Sequence, residues 1–165
     1  MDPLPWPDEN HLHAAEGWLE LGNANEANEE LDRIAPRLRD HPAVLDLRWQ
    51  IYAQADKWAA CLDIAAAIIK LAPNSPDGWI RLPYTLHVLG HTQGAWDILN
   101  AVAARFPDNP TIAYNLACYA CQLGNIARAR ELLDAALTLD NSPSMKLSAL
   151  NDPDLSPLWI ESQRT

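Results

Sequence analysis

Hydrophobic and polar positions follow a helical period along most of this chain. The runs HLHAAEGWLELG, GWIRLPYTLHVLG and AYNLACYACQLG place apolar residues three and four positions apart, and each run ends in glycine. Apolar residues at this spacing form one face of an α-helix, and a glycine that follows can end the helix in the left-handed conformation. We therefore predict an all-α chain built of helix pairs. The predicted pairs are 9–22/24–38, 42–55/57–72, 76–89/92–106 and 110–123/125–139.

Turn and core residues recur with a fixed step of 34 residues. Each proline in this pattern follows a polar residue (His41, Ser75 or Asn109), which is a usual start of a helix. A small residue five positions after each turn allows two helices to approach closely. A fixed period of this size is typical of a solenoid, with repeats at about 8–41, 42–75, 76–109 and 110–143. The columns are Gly22, Asp56, Gly90 and Gly124; Ala27, Cys61, Ala95 and Ala129; Pro42, Pro76 and Pro110; and Pro73 and Pro107.

The repeat resembles the tetratricopeptide repeat family over about residues 8–141. The resemblance implies a right-handed superhelical solenoid of about four helix-turn-helix repeats in one domain. The C-terminal ALNDPDLSPLW is also similar to a group of short bacterial proteins with these repeats. The matching residues are Trp79, Leu82, Leu86, Gly90, Ala95, Leu99 and Pro107 in the third repeat, and Leu116, Ala117, Gly124, Ala129, Leu133 and Ala136 in the fourth.

Three residues depart from the family pattern and predict local irregularity. Trp49 stands where the family has a small residue between packed helices, and Pro83 stands at the equivalent place inside a later helix. Pro36 falls late in the second predicted helix. A proline inside a helix removes one backbone hydrogen bond and bends the helix.

The segment after the fourth repeat is predicted to cap the open end of the stack, as solenoids require. We expect residues 144–160 to be ordered, a short helix to begin at Pro153 with Asp152 as its cap, and Trp159 to be mostly buried. The apolar residues expected to cover Leu132, Ala136 and Leu139 are Met145, Leu147, Leu150, Leu155, Leu158 and Trp159.

In the resembled family, the first helices of successive repeats line a groove that holds a peptide or a partner helix. The residues that helical counting places there are acidic at the N-terminal end and aromatic and neutral at the other. Tyr84 and Tyr114 favour a partner, because exposed aromatic side chains there are costly without one. The alternative for the polar residues is an ordinary solvated helix surface. The groove residues are Glu16, Glu20, Asp46, Gln50, Gln54, Arg81, Tyr84, His87, Tyr114, Asn115, Cys118, Cys121 and Gln122.

The C-x-x-C at Cys118 and Cys121 has three interpretations. A redox pair is disfavoured because the motif lies mid-helix, whereas thioredoxin-type thiols lie at a helix N-terminus after a strand. A metal site would need further ligands, and His87 is the one candidate near by. Two small side chains on a packed helix face remain the simplest interpretation, and Cys61 is predicted to lie in the core.

Composition narrows the function further. The chain has 165 residues and a net charge of −10, which argues against nucleic acid and anionic membranes and suits a basic or neutral protein partner. No signal-peptide pattern, long apolar run or common catalytic motif is present, so we expect a cytoplasmic, non-enzymatic interaction module without a cofactor. The alternatives are a chaperone resembling the acidic class II chaperones of type III secretion and, less favoured, a metal or redox protein using Cys118 and Cys121.

Overall fold

The computed structural model describes residues 3–162, and all regular secondary structure in this part is helical. The predicted all-α organisation in helix pairs is confirmed. Three short 3-10 helices, Pro36–Leu38, Ala103–Arg105 and Pro153–Leu155, lie between the α-helices. The α-helices are α1 Asp8–Glu20, α2 Ala24–Arg33, α3 Pro42–Gln54, α4 Trp58–Leu71, α5 Pro76–Val88, α6 Thr92–Val102, α7 Pro110–Gln122, α8 Ile126–Leu139, α9 Pro143–Asn151 and α10 Ser156–Ser162.

The turn within each helix pair is made by a residue with positive φ, as predicted. Gly22, Gly90 and Gly124 have φ of 80°, 85° and 81°, and Asp56 has φ of 55°. At Gly124 the reversal is closed by two backbone bonds: Gly124 N–H donates to the Cys121 carbonyl at 3.0 Å, and the N–H of the next residue donates to the carbonyl of residue 120 at 2.8 Å. This pattern satisfies carbonyl groups that the helix end leaves unpaired.

The polar residue before each repeat proline caps the following helix. The His41 ring accepts a hydrogen bond from Ala43 N at 3.3 Å, and the Asn109 side chain accepts one from Ile112 N at 3.2 Å. Ser142 starts α9 in the same way, ahead of another proline. These local caps explain why most predicted helix bounds agree with the structure to within a few residues. The predicted end of α2 was wrong, because α2 ends at Arg33 and Pro36 begins a separate 3-10 helix.

The chain divides into two compact units, one up to Gly78 and one from Trp79. Each has its own buried apolar core. The predicted column of small residues is confirmed in both, since Ala27, Cys61, Ala95 and Ala129 are all fully buried. Whether the whole chain behaves as one domain stays a prediction.

Trp49 is accommodated in the core in spite of its size. Its ring packs edge-on against Trp58, with centroids 6.4 Å apart, and its backbone carbonyl accepts a bond from the Cys61 thiol at 3.6 Å. The bulky ring is therefore packed against a side chain of α4. In the other unit, α5 continues through Pro83, which is fully buried.

The segment after α8 is ordered, but only some of its apolar side chains are buried. Leu155 and Leu158 are almost fully buried, and Trp159 is partly buried. Leu147 and Leu150, which were predicted to cover the last repeat, are 60% and 64% exposed. That part of the capping prediction was wrong, because α9 turns these two leucines to the surface.

Candidate functional site

The predicted groove residues fall into two sets, one in each unit. In the first unit a groove of about 670 Å³ lies along α1 and α3. Such a volume is in the range of small ligand sites and suits a few side chains of a partner. We call it the acidic groove; it is lined by Glu16, Leu19, Glu20, Pro42, Ala43, Asp46, Leu47, Gln50 and Asp77.

The acidic groove combines four carboxylates with an apolar base. Glu16 and Glu20 lie on successive turns of α1, and Asp46 lies on α3, where it accepts a hydrogen bond from the Gln50 amide at 2.9 Å. Asp77 accepts one from the Ser75 hydroxyl at 2.6 Å. The described residues that line the groove include no Lys or Arg, so its electrostatic potential favours cations.

In the second unit, the predicted groove surface carries the chain's own C-terminal segment. We call residues 152–158 the strap. The Asp152 carboxylate accepts a hydrogen bond from the Tyr114 hydroxyl at 2.8 Å, and the Cys118 thiol approaches the same oxygen at 3.7 Å. Two predicted groove residues of α7 thus contact one strap carboxylate.

A second strap carboxylate is held by His87 of α5. His87 Nε2 lies 2.8 Å from Asp154 Oδ2, and because an ionised carboxylate only accepts, Nε2 carries the proton. His87 Nδ1 lies 2.9 Å from the Thr92 hydroxyl, which fixes the ring from its other side. The Gln122 amide donates to the Asp154 backbone carbonyl at 2.8 Å.

Two leucines anchor the strap in the core. Leu155 and Leu158 belong to the buried cluster that also contains Leu116 and Cys121. Arg130 of α8 donates to the Leu158 carbonyl at 3.4 Å. Apolar burial therefore holds the strap at its second half, and hydrogen bonds to carboxylates hold it at its first half.

Burial under the strap suppresses ionisation of the thiols and phenols beneath it. Desolvation, followed by the negative charges of Asp152 and Asp154, raises the pKa of the Cys118 thiol well above its ordinary value. Desolvation and the hydrogen bond to Asp152 likewise raise the pKa of the Tyr114 hydroxyl. Burial also raises the pKa of the Cys121 thiol, against the effect of a backbone hydrogen bond from Leu158. The two thiols are thus neutral at physiological pH.

This environment is unlike that of a reactive or metal-binding cysteine pair, which needs a lowered pKa. Within residues 3–160, no group of three or more His, Cys, Asp and Glu side chains is arranged to hold a metal ion, and His87 with Cys118 and Cys121 is no exception. All three cysteines are buried thiols outside any disulfide bond, and Cys61 lies in the core as predicted. In the same described range, no helix has both the length and the apolar character needed to cross a bilayer.

The structure brings together most, not all, of the predicted groove residues. Asn115, Cys118 and Cys121 are buried rather than open to a partner. Tyr84 stays partly exposed near the strap, and its pKa is raised first by desolvation and then by the charges of Asp152 and Asp154. Arg81 is partly exposed and Gln54 is exposed, and both lie outside the acidic groove. The sets brought together are Glu16, Glu20, Asp46 and Gln50 in the first unit, and His87, Tyr114, Cys118 and Gln122 in the second.

Sequence reasoning missed the role of Asp152 and Asp154 as partners of the second set. The only local signal was two carboxylates flanking Pro153 within an otherwise apolar tail. A pair of that kind indicates a cap, and Asp152 does accept a bond from Asp154 N at 2.9 Å. Its contacts with α7 come from residues more than thirty positions away and leave no trace in the periodicity.

Comparison with known proteins agrees with the repeat pattern. Residues 89–149 match a family model described as "Tetratricopeptide repeat". None of the curated proteins is significantly similar to this sequence.

Solved structures extend the likeness to the rest of the chain. TTC0263, a thermophilic tetratricopeptide-repeat (TPR) protein of Thermus thermophilus, has a TM-score of 0.80 at 17% identity, over 95% of this chain and 84% of that chain. MamA from Desulfovibrio magneticus RS-1 has a TM-score of 0.69 at 17% identity, over 97% and 93%. YrrB, described as a TPR protein with an unusual peptide-binding site, has a TM-score of 0.66 at 15% identity, over 87% and 74%.

These likenesses confirm the predicted fold class, an all-α solenoid of helix-turn-helix repeats followed by C-terminal helices. At these identities they concern the fold alone. Residues 89–149 therefore match the tetratricopeptide-repeat model, and the described chain has the fold seen in solved tetratricopeptide-repeat proteins.

Proposed function

We propose that this chain is a non-enzymatic interaction module whose acidic groove binds a basic or neutral segment of a partner protein. The observation that carries the proposal is the clustering of Glu16, Glu20, Asp46 and Asp77 around one groove whose lining also includes Leu19. Tetratricopeptide proteins generally mediate protein–protein interaction and are generally scaffolds rather than enzymes. YrrB, which shares the fold, has a peptide-binding site.

The chemistry of the acidic groove selects its partner by charge. Like charges on one surface repel one another, and a cationic side chain that enters the groove relieves this repulsion. Because several of these carboxylates are exposed, each ion pair contributes only about 0.2–1 kcal/mol. Apolar contact with Leu19 and Leu47 supplies the rest, so we expect a partner segment that alternates Lys or Arg with aliphatic residues. The net charge of −10 disfavours nucleic acid as the ligand.

The test is a binding titration with peptides of opposite charge. The probe is a short fluorescein-labelled peptide of alternating lysine and leucine, and its counterpart replaces each lysine with glutamate. We expect saturable anisotropy with the lysine peptide only, weakened by added salt because exposed charges are screened. The double variant Glu16→Gln/Glu20→Gln should lose most of this binding.

A matched variant separates the acidic groove from the overall charge. Glu26→Gln/Asp63→Asn removes the same charge at exposed positions of the same unit outside the groove. It should bind the lysine peptide almost as well as the wild type. Equal weakening by the two double variants would show that binding reflects net charge alone and would overturn the proposal.

A further inference from the structure

The strap lies on α5 and α7 as a peptide ligand would lie in a binding site. Its two carboxylates accept hydrogen bonds from the side chains of Tyr114 and His87, and its backbone carbonyl at Asp154 accepts one from the Gln122 amide. All of these donors belong to residues that the repeat pattern places on the partner-binding face. The chain's own C-terminal segment thus occupies this surface.

The donors on this surface select carboxylates rather than cations. A phenol, a thiol, an imidazole N–H and an amide N–H point toward the strap, and Asp152 and Asp154 provide the acceptors. Pro153 separates the two carboxylates, and the bond between Asp152 Oδ1 and Asp154 N holds them in one turn. The acidic groove of the first unit, whose lining carries carboxylates and no Lys or Arg, has the opposite electrostatic character.

A ligand of this surface must meet a second requirement besides its carboxylates, which is set by the leucines in the second half of the strap. Leu155 follows the carboxylate pair directly and is fully buried, and Leu158 enters the same core one turn later. Asp154, by contrast, keeps 33% of its side chain exposed. The polar half of the strap is thus open to solvent while the leucines anchor it, as in a peptide held by a few buried side chains.

We propose that this surface of α5 and α7 is a second binding site, selective for a protein segment in which two carboxylates two residues apart precede a leucine. The strap is the intramolecular ligand of this site, and a partner segment of the same chemistry displaces it. The covalent link gives the strap an effective concentration on the order of millimolar. A partner segment therefore binds appreciably only when its affinity and concentration together outweigh those of the strap, or when the strap itself binds more weakly. The proposal does not depend on the acidic groove.

The cysteines provide the readout, because Cys118 and Cys121 lie beneath the strap and Cys61 lies in the core of the other unit. In the full-length variant Asp152→Asn/Asp154→Asn, the cap geometry is kept while the charges on the strap are lost. Because the two substitutions also remove charges that raise the thiol pKa, labelling rates are measured at stepped pH and compared per thiolate. On that scale, alkylation followed by mass spectrometry should label Cys118 and Cys121 about tenfold faster than in the wild type, the size expected for losing a hydrogen bond to a charged group. Cys61 should label at the wild-type rate. The matched control, Asp108→Asn/Asp134→Asn at exposed positions of the same unit, should leave all three rates unchanged.

The same variant tests binding in trans. A fluorescein-labelled peptide of residues 149–160, ALNDPDLSPLWI, should bind the strap variant and slow labelling of Cys118 again. The peptide with both Asp152→Asn and Asp154→Asn should bind about tenfold more weakly.

Three results would overturn the proposal. Equal binding of the two peptides would show that the site does not require carboxylates. Faster labelling of Cys61 in parallel with Cys118 would show that the strap is a part of the global fold rather than a displaceable ligand. Concentration-dependent dimers in which Cys118 stays protected would assign the site to the strap of a second copy.

Discussion

Gly78 lies in the first turn of α5, where it is packed against the end of α4. A Cβ atom added at this position would lie 2.7 Å from Ile69 Cγ1, 2.7 Å from the Ile69 backbone nitrogen and 3.1 Å from Ile68 Cγ2. A side-chain methyl can rotate away from such a contact, but a backbone nitrogen within α4 cannot. The substitution Gly78→Ala should therefore force the two helices apart.

The expected magnitude follows from two opposing effects. Overpacking of a well-packed site costs about 1–3 kcal/mol. Alanine in place of glycine in a helix returns up to about 1 kcal/mol. Taking the middle of the overpacking range, about 2 kcal/mol, less about 1 kcal/mol for the helix gain, the net loss in the free energy of unfolding should be about 1 kcal/mol. Gly17→Ala is the matched control, because Gly17 lies inside α1 and an added Cβ would meet nothing within 4 Å.

The assay is urea unfolding followed by circular dichroism on the wild type and the two variants. Gly78→Ala should lower the midpoint with an unchanged slope, and Gly17→Ala should leave it unchanged or raise it. If Gly78→Ala unfolds at or above the wild-type midpoint, the close approach of α4 and α5 at this point is wrong.

Three further predictions concern stability. Gly124→Val should lower the free energy of unfolding by about 1–3 kcal/mol, because a β-branched residue resists the φ of 81°; an unchanged thermal midpoint would contradict this. Ala129→Trp should cost about 1–3 kcal/mol or more by overpacking, measured by urea unfolding, and a chain that tolerates it would show that Ala129 does not lie between close helices. The raised pKa values of Cys118, Tyr114 and Tyr119 mean that the unfolded chain releases these protons first as pH rises. Stability should therefore be constant near neutral pH and fall above about pH 9. Cys118→Ala should reduce the earliest part of that fall without abolishing it, because the raised pKa of Cys121 acts in the same range, as followed by urea titrations at stepped pH.

Features encoded within a few residues of sequence were predictable. The turn at Asp56 illustrates this: its place in the 34-residue step predicted a helix end even without glycine, and the structure gives it φ of 55°. The caps at His41 and Asn109 were predictable for the same reason, since a cap and the amide it binds are two or three residues apart. Pro36 was flagged as disruptive, but the pattern alone did not show that α2 stops before it.

Features that depend on contacts between distant segments were not predictable. His87 and Asp154 are 67 residues apart, and neither helical period nor composition relates them. Leu147 and Leu150 have the spacing of a buried face, yet α9 presents them to solvent, because the direction of a short helix is set by what its ends pack against. The residues of the acidic groove were easier to predict, because counting along two neighbouring helices places Glu16, Glu20 and Asp46 on one face.

The column of small residues has a consequence for how the chain folds. Cys61 reaches the Trp49 carbonyl across a separation of only twelve residues, and the helices of three pairs, α1/α2, α3/α4 and α7/α8, pack chiefly on each other. Contacts that are local in sequence close short loops, so little chain entropy is lost before they form. Fast folding is expected, with each helix pair able to nucleate by itself. A change in length is then best tolerated in whole steps of 34 residues, because any other insertion within a pair separates the small residue from the backbone it packs against.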